Sequence, residues 1–288
     1  MSQIINDYNK NGYSVLRNIV PHGRIDALLE NIYKLYRKYS TDTELDKLES
    51  PWKSGLFHKK LIEFRKEEPK LFGAIYDSLK TSLTLTQLVS DDVIVDNVAK
   101  FLKVEPGDVS ISEPMCRLDV PDDKRNALEW HQERSFFPQN RDGLHSLVCW
   151  IPLTDVTEEM GAIHISPESH TSGLLVPTQN EKKSELSTRQ ISVPEEYVKK
   201  YEDLVVTVHV GDVVFFNMLL FHRSGVNISD KVRFSVQSRF HTATADDFIP
   251  FELINYYNPD IKQKLIEKNY DCSDIPDNIR QPPIARKS

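Results

Sequence analysis

Apolar positions recur along this chain with two different periods, and the point where the period changes divides it. In "RIDALLENIYKLYRKY", Ile25, Leu28, Leu29, Ile32, Leu35 and Tyr36 fall three or four residues apart, which predicts an amphipathic helix with one face toward a core. Residues 3–10 predict a short helix stopped near Gly12, with a strand following in "YSVLRNIV". Further helical stretches are expected at about 58–80 and 90–103. From about residue 109 the texture shortens to β-branched and aromatic runs broken by turn residues: "VSISEPMCRL", "HSLVCWIPL", "AIHIS", "LVVTVHV", "DVVFFNM" and "KVRFSVQSRFH". Short strands between turns predict a sandwich or barrel. Helices first and strands afterwards predict α+β rather than a parallel α/β sheet.

No internal repeat or Gly/Ser linker interrupts this order, so one domain is expected over residues 1–288. It would comprise a helical part to about 105, a β core over about 109–241 and an irregular C-terminal extension over 242–288. The connections "PDDKRNALE" (121–129) and "PTQNEKKSELSTRQ" (177–190) are candidate lids, since long loops beside a barrel mouth often serve that role.

Charge and cysteine content remove classes without choosing a function. A formal net charge of -7 argues against a nucleic-acid binder, which usually carries a basic footprint. No apolar run approaches the roughly 20 residues that span a bilayer, so no membrane partner is expected. The first residues lack the basic-then-apolar pattern of a secretory signal. Cys116, Cys149 and Cys272 are sparse and without CxxC spacing, which fits a reducing compartment and predicts a cytoplasmic protein.

Chemistry enters with "WHQERSFFP". If this segment is a strand, His131 and Glu133 project to one side and Gln132 to the other. Two ligands on one side need at least a third. His222 offers it, at the end of the apolar run in "GDVVFFNMLLFHRSGVN". The following strand divides by period two, with Arg233, Ser235, Gln237 and Arg239 on one face and Phe234, Val236, Ser238 and Phe240 on the other. The polar face suits a cavity wall better than a packing surface. Two histidines and a carboxylate fill one triangular face of an octahedral metal and leave three positions open, the arrangement of non-haem iron oxygenases. Two open positions suit a chelating 2-oxo acid and one suits dioxygen. The far carboxylate of such an acid calls for a permanent, bidentate cation, which Arg233 provides.

Residues 130–241 resemble the phytanoyl-CoA dioxygenase-like branch of the Fe(II)/2-oxoglutarate-dependent oxygenases. "WHQE…FFP" resembles that family's His-x-Asp/Glu motif. "CWIPLTDVTEEMGAIHISPESH" resembles its stretch from Trp to a Pro-x-Ser-His turn, and "GDVVFFNMLLFHRSGVN" its distal-histidine motif with Arg233 at the usual interval. The opening "NKNGYSVLRNIV…RIDALLENI" is similar to the family's first elements. The resemblance implies a double-stranded β-helix (jelly roll, cupin-like) core with flanking N-terminal helices. It implies His131, Glu133 and His222 as catalytic iron ligands, Arg233 as the partner of the distal carboxylate of 2-oxoglutarate, and Ser224 and Trp150 as residues lining the co-substrate site. The activity implied is hydroxylation of a small or medium-sized metabolite by O2, with 2-oxoglutarate decarboxylated to succinate and CO2. Glu133 stands where aspartate is commoner. Because a carboxylate is present, oxidation rather than halogenation is expected.

Other positions keep two readings. Arg117 is an ion-pair partner within the sheet or a binding residue for co-substrate or substrate, and Arg239 contacts an anion or an internal acid. Phe136, Phe137 and Gln139 shape a substrate pocket or belong to the core, whereas His164 and His170 belong to scaffold. Two rival functions remain: a cupin-like non-redox metalloenzyme (isomerase or hydrolase), which has no need of Arg233 at its fixed interval, and a non-catalytic metal-binding relative.

Overall fold

The strands build two antiparallel sheets, and the helices lie against the outer face of the larger one. A computed structural model describes residues 2–123, 127–137, 139–140, 144–175, 178–179 and 191–250. The larger sheet has the order β1 (Tyr13–Leu16), β8 (Val213–Asn217), β3 (Ser146–Pro152), β10 (Arg233–Thr242), β2 (Val109–Asp119). The smaller is β7 (Leu204–Val206), β4 (Ile163–Ile165), β9 (His222–Arg223), and β5 (Thr178–Gln179) pairs with β6 (Ile191–Ser192) as a short ribbon. All pairings are antiparallel. Helices first and antiparallel sheet afterwards is the order the sequence predicts.

The helical layer comprises α1 (Ser2–Asn11), α2 (His22–Tyr39), α3 (Gly55–Glu67), α4 (Pro69–Leu79), α5 (Leu83–Val89) and α6 (Asp92–Leu102), with a single turn α7 (Glu195–Val198) later in the chain. In α2 the predicted stripe is the packed one: Ile25, Leu28, Leu29, Ile32 and Tyr36 are buried. Two expectations need correction, and a third holds. The stretch at 58–80 is two helices rather than one, because Pro69 has no N–H to continue the ladder and its ring disfavours a helical Glu68. The stretch at 90–103 holds as α6, capped by Asp91, whose side chain accepts from the Val93 N–H. The strand after Gly12 ends at Leu16, since the chain turns through Asn18 at φ 51 and pairs Ile19 and Val20 with the Gly211 carbonyl instead.

Period two in β10 sorts the sheet's faces. Phe234, Val236 and Phe240 join Cys116, Leu118, Leu147, Cys149, Ile151, Val213 and Phe215 in a core with the helices. The opposite face carries Val148, Trp150, Val214 and Phe216, packed with Ile163, Ile165 and Val206 of the smaller sheet. Between the two sheets, on β10, lie buried Arg233, Ser235 and Arg239. At roughly 25 cal/mol per Å2, this apolar burial is what makes the polar wall tolerable. The wall itself contributes little by packing.

The thiols of Cys116 and Cys149 are buried and unbridged, and burial pushes both up. Among the described residues, no helix is long and apolar enough to cross a membrane. The candidate lid at 121–129 is described except for 124–126. The one at 177–190 falls outside the described residues apart from 178–179, as do the extension beyond 250 and Cys272.

Candidate metal centre

His131 and Glu133 do not share a strand. His131 forms a lone antiparallel bridge with His222, its N–H donating to the His222 carbonyl at 2.9 Å and its carbonyl accepting from the His222 N–H at 3.1 Å. Gln132 stays extended, and Glu133 opens a 3-10 turn over Glu133–Ser135. The turn is forced by contacts rather than local propensity: the Arg134 N–H bonds the Met218 carbonyl, and Phe136 and Phe137 both donate to the Glu133 carbonyl. The two predicted ligands still meet, by a turn instead of by alternation.

Gln132 explains the residue between them. Its side chain is buried, donates to the carbonyls of Gly173 and Leu219 at 2.8 Å each, and accepts from the Leu175 N–H at 2.9 Å. It fastens the ligand segment to two loops.

His222 is fixed in a comparable way. Asn217 ends β8 and caps a turn by accepting from the Leu219 N–H. The Ser169 hydroxyl accepts from the Phe221 N–H, and Ser166 donates its N–H to the Phe221 carbonyl. The "SPESH" turn thus seats the residue before the histidine. Just past it, a methyl on Gly225 would overlap the Ala162 carbonyl oxygen, and one on Gly161 would come within 2.7 Å of the Gly225 carbonyl. These two glycines let the chain leaving His222 run against the chain entering β4.

His131 Nδ1 lies 2.7 Å from the Glu129 carbonyl, and His222 Nδ1 lies 2.9 Å from the Leu220 carbonyl. A carbonyl only accepts, so each Nδ1 carries a proton and each Nε2 keeps its lone pair. Those Nε2 atoms face one oxygen, Glu133 Oε2, at 3.5 and 3.2 Å. Burial keeps His222 neutral by pushing its pKa down, with His131 adding to the effect. Burial alone would push the Glu133 carboxyl up. Arg239, with help from both histidines, more than offsets this and holds it well below the usual carboxylate range. The outcome is three potential ligand atoms on buried residues, within 4.8 Å of one another. Such a cluster can hold a cation at its centre, and two imidazoles with one carboxylate suit a first-row divalent metal. Phe136 stands edge-on to the His131 ring at 5.6 Å, and Phe216 lies 4.7 Å from that of His222.

Arg233 lies on the inner face of β10 and is buried. Its Nε and Nη2 donate to Asp119 Oδ2 at 3.3 and 2.8 Å. Arg117 holds the same carboxylate through Nε and Nη2 at 3.1 and 2.9 Å. Burial works against the Asp119 charge, but Arg117 and Arg233 bring its pKa down to about 2. For Arg117 the geometry favours the ion pair. Arg233 Nη1 and Ser235 Oγ, both buried, have no hydrogen-bond partner among the described residues. They are the vacant donors that a ligand carboxylate requires.

Trp150 is buried on β3 opposite Gln237 and Val214, within the apolar cluster between the sheets. Ser224 is half-buried, and its N–H bonds the Leu128 carbonyl. His164 pairs with Asp203 and Arg223, and His170 bonds the Asn9 carbonyl, so both serve the scaffold. Of the residues sequence reasoning left open or unassigned, Arg239 bonds the Glu133 carboxylate, and His58 accepts from the Val232 N–H at the head of β10. Period two signalled the first. Nothing local signalled the second.

A family model for phytanoyl-CoA dioxygenase (PhyH) matches residues 8–235. The chain belongs to the phytanoyl-CoA dioxygenase family. It is 23% identical over 246 residues to the human peroxisomal phytanoyl-CoA dioxygenase, covering 82% of this chain and 67% of that protein. To a probable phytanoyl-CoA dioxygenase of Caenorhabditis elegans it is 22% identical over 244 residues, covering 81% and 72%. Among solved structures, the epimerase SnoN in complex with Fe3+, alpha ketoglutarate and nogalamycin RO aligns with TM-score 0.58 at 18% identity, over 86% of each chain. EvdO2 from Micromonospora carbonacea complexed with 2-oxoglutarate aligns with TM-score 0.55 at 15% identity, over 87% of this chain and 95% of its own. At such identities the structural likeness is one of fold.

Proposed function

We propose that this member of the phytanoyl-CoA dioxygenase family is a single-domain Fe(II)- and 2-oxoglutarate-dependent oxygenase with a jelly-roll core, hydroxylating a small or medium-sized metabolite. The observation that carries this reading is the convergence of His131 Nε2, His222 Nε2 and Glu133 Oε2, with both Nδ1 protons already donated to carbonyls. Iron with 2-oxoglutarate would supply the oxidising power, dioxygen being activated as the 2-oxo acid is converted to succinate and CO2. His131, Glu133 and His222 would hold the metal from one side and leave the opposite side for ligands. Arg233, steadied by Asp119, would take the distal carboxylate through Nη1, with Ser235 Oγ on the same face. Trp150 and Ser224 would line that co-substrate site, and Arg117 would act through Asp119. Phe136 and Phe216 pack against the imidazoles and keep water from their flanks.

A relative's substrate does not transfer with its fold, because specificity lives in the site. No cluster of Lys and Arg suited to a CoA phosphate stands out in the sequence, which favours a small polar metabolite.

The reading is tested by adding 2-oxoglutarate to the Fe(II)-loaded protein without oxygen, where a weak visible charge-transfer band is expected. Aerobic succinate release against a metabolite panel, with 18O2 to trace oxygen into product, then separates hydroxylation from other outcomes. Metal bound without the band points to a non-redox enzyme. No bound metal and no succinate with any substrate points to a non-catalytic relative.

A further inference from the structure

Arg239 turns two nitrogens toward one oxygen, Nε as a hydrogen-bond donor and Nη2 as a close ion-pair contact. Its Nε and Nη2 lie 2.7 and 2.5 Å from Glu133 Oε1, while Oε2, the oxygen facing both imidazoles, receives nothing from it. The carboxylate is therefore divided, one oxygen for the protein and one for the centre. The guanidinium is also held from behind, its central carbon 4.2 Å from the centroid of the Phe137 ring. Phe137 belongs to the same turn as Glu133, since its N–H bonds the Glu133 carbonyl. At its root, Arg239 is paired with Val148 of β3 and Ser112 of β2, where the β10–β2 register shifts. The side chain is 4% exposed, so little solvent competes for these contacts.

We propose that Arg239 is a positioning residue that fixes Glu133 as a one-oxygen metal ligand, and so lets a glutamate serve here. This rests on reading His131, Glu133 and His222 as a metal centre. Glutamate has one more rotatable bond than aspartate, so an untethered Glu133 would lose more freedom on coordinating and could also swing to chelate with both oxygens. The Nε hydrogen bond and the Nη2 ion-pair contact on Oε1 remove both problems before the metal arrives. Electrostatics alone would act the other way: a guanidinium repels a dication, so its removal would tighten binding. Ordering dominates because Oε1 already neutralises the guanidinium. The sign of the change therefore decides the matter.

The experiment uses the full-length protein and Co(II), followed by its dissociation constant and ligand-field absorption. Wild type should bind one Co(II), and His131→Ala should abolish that binding. Arg239→Gln should weaken it by about 10–100-fold, the usual cost of removing a partner that orients a ligand. Should Arg239→Gln fail to fold, Arg239→Lys keeps the charge but cannot set two nitrogens against Oε1. It should bind several-fold more weakly, with an altered absorption spectrum, and better than Arg239→Gln wherever both fold. In Glu133→Asp, whose carboxylate falls one methylene short of Arg239, adding Arg239→Gln should change affinity less than threefold. Binding that stays equal or tightens in the Arg239 variants, with an unchanged spectrum, overturns the proposal while the centre stands. Wild type that takes up no Co(II), or His131→Ala that binds it as well, overturns the centre and Arg239's role together.

Discussion

Asp119 sits between two guanidiniums, and replacing it with asparagine removes one charge while keeping the shape. In the unfolded chain its carboxyl titrates near 3.8, and in the folded protein near 2, because Arg117 and Arg233 outweigh the cost of burial. That depression corresponds to roughly 2.5 kcal/mol of stability at neutral pH. A carboxylate with a lowered folded pKa stabilises fully above its unfolded value, and the contribution is lost as pH falls from 3.8 toward 2. Asp119→Asn should therefore lose about 2–3 kcal/mol at pH 7, a lower bound because two buried cations then share the space without a counter-charge. Urea unfolding of both proteins from pH 7 down to pH 3 measures the difference. It should hold steady to about pH 5 and narrow below about pH 4. A gap that ignores pH over that range, or one below about 0.5 kcal/mol at pH 7, refutes the reasoning.

Three further outcomes are expected. Gln132→Ala leaves two carbonyls and one N–H without their partner and should cost roughly 2–3 kcal/mol in urea unfolding, with weaker metal uptake as the ligand segment loosens. Arg233→Gln removes a charge-assisted contact and should raise the half-saturating 2-oxoglutarate concentration by about 10–100-fold in the anaerobic titration, while Co(II) affinity stays within about threefold. Gly225→Ala drives a methyl into the Ala162 carbonyl and should lower stability by about 1–3 kcal/mol, read as a fall in thermal midpoint.

The β core was legible because its strands obey a simple rule. β10 is polar on one face and apolar on the other, and that alternation placed Arg233 and Arg239 on the inner wall before any coordinates. The candidate ligand segment defeated the same rule. "WHQE" has a strand-like composition, yet hydrogen bonds to the Met218 carbonyl and with the 173–175 loop bend it, and a local pattern carries no trace of such partners. The division between α3 and α4 was available in principle from Pro69, but the apolar period runs on through it and hides the break. Arg117 could not be assigned because its meaning depends on Arg233, which reaches Asp119 only once β2 and β10 lie side by side.

The bridge between His131 and His222 has a consequence for how the protein matures. Glu133 and His222 are separated by 89 residues, and the imidazoles oppose each other only because two backbone hydrogen bonds tie their strands. The pair of imidazoles is absent from any partly assembled chain, so on the proposed reading metal uptake follows folding and does not start it. Metal-free and metal-loaded protein should then share one fold, with added metal raising the thermal midpoint.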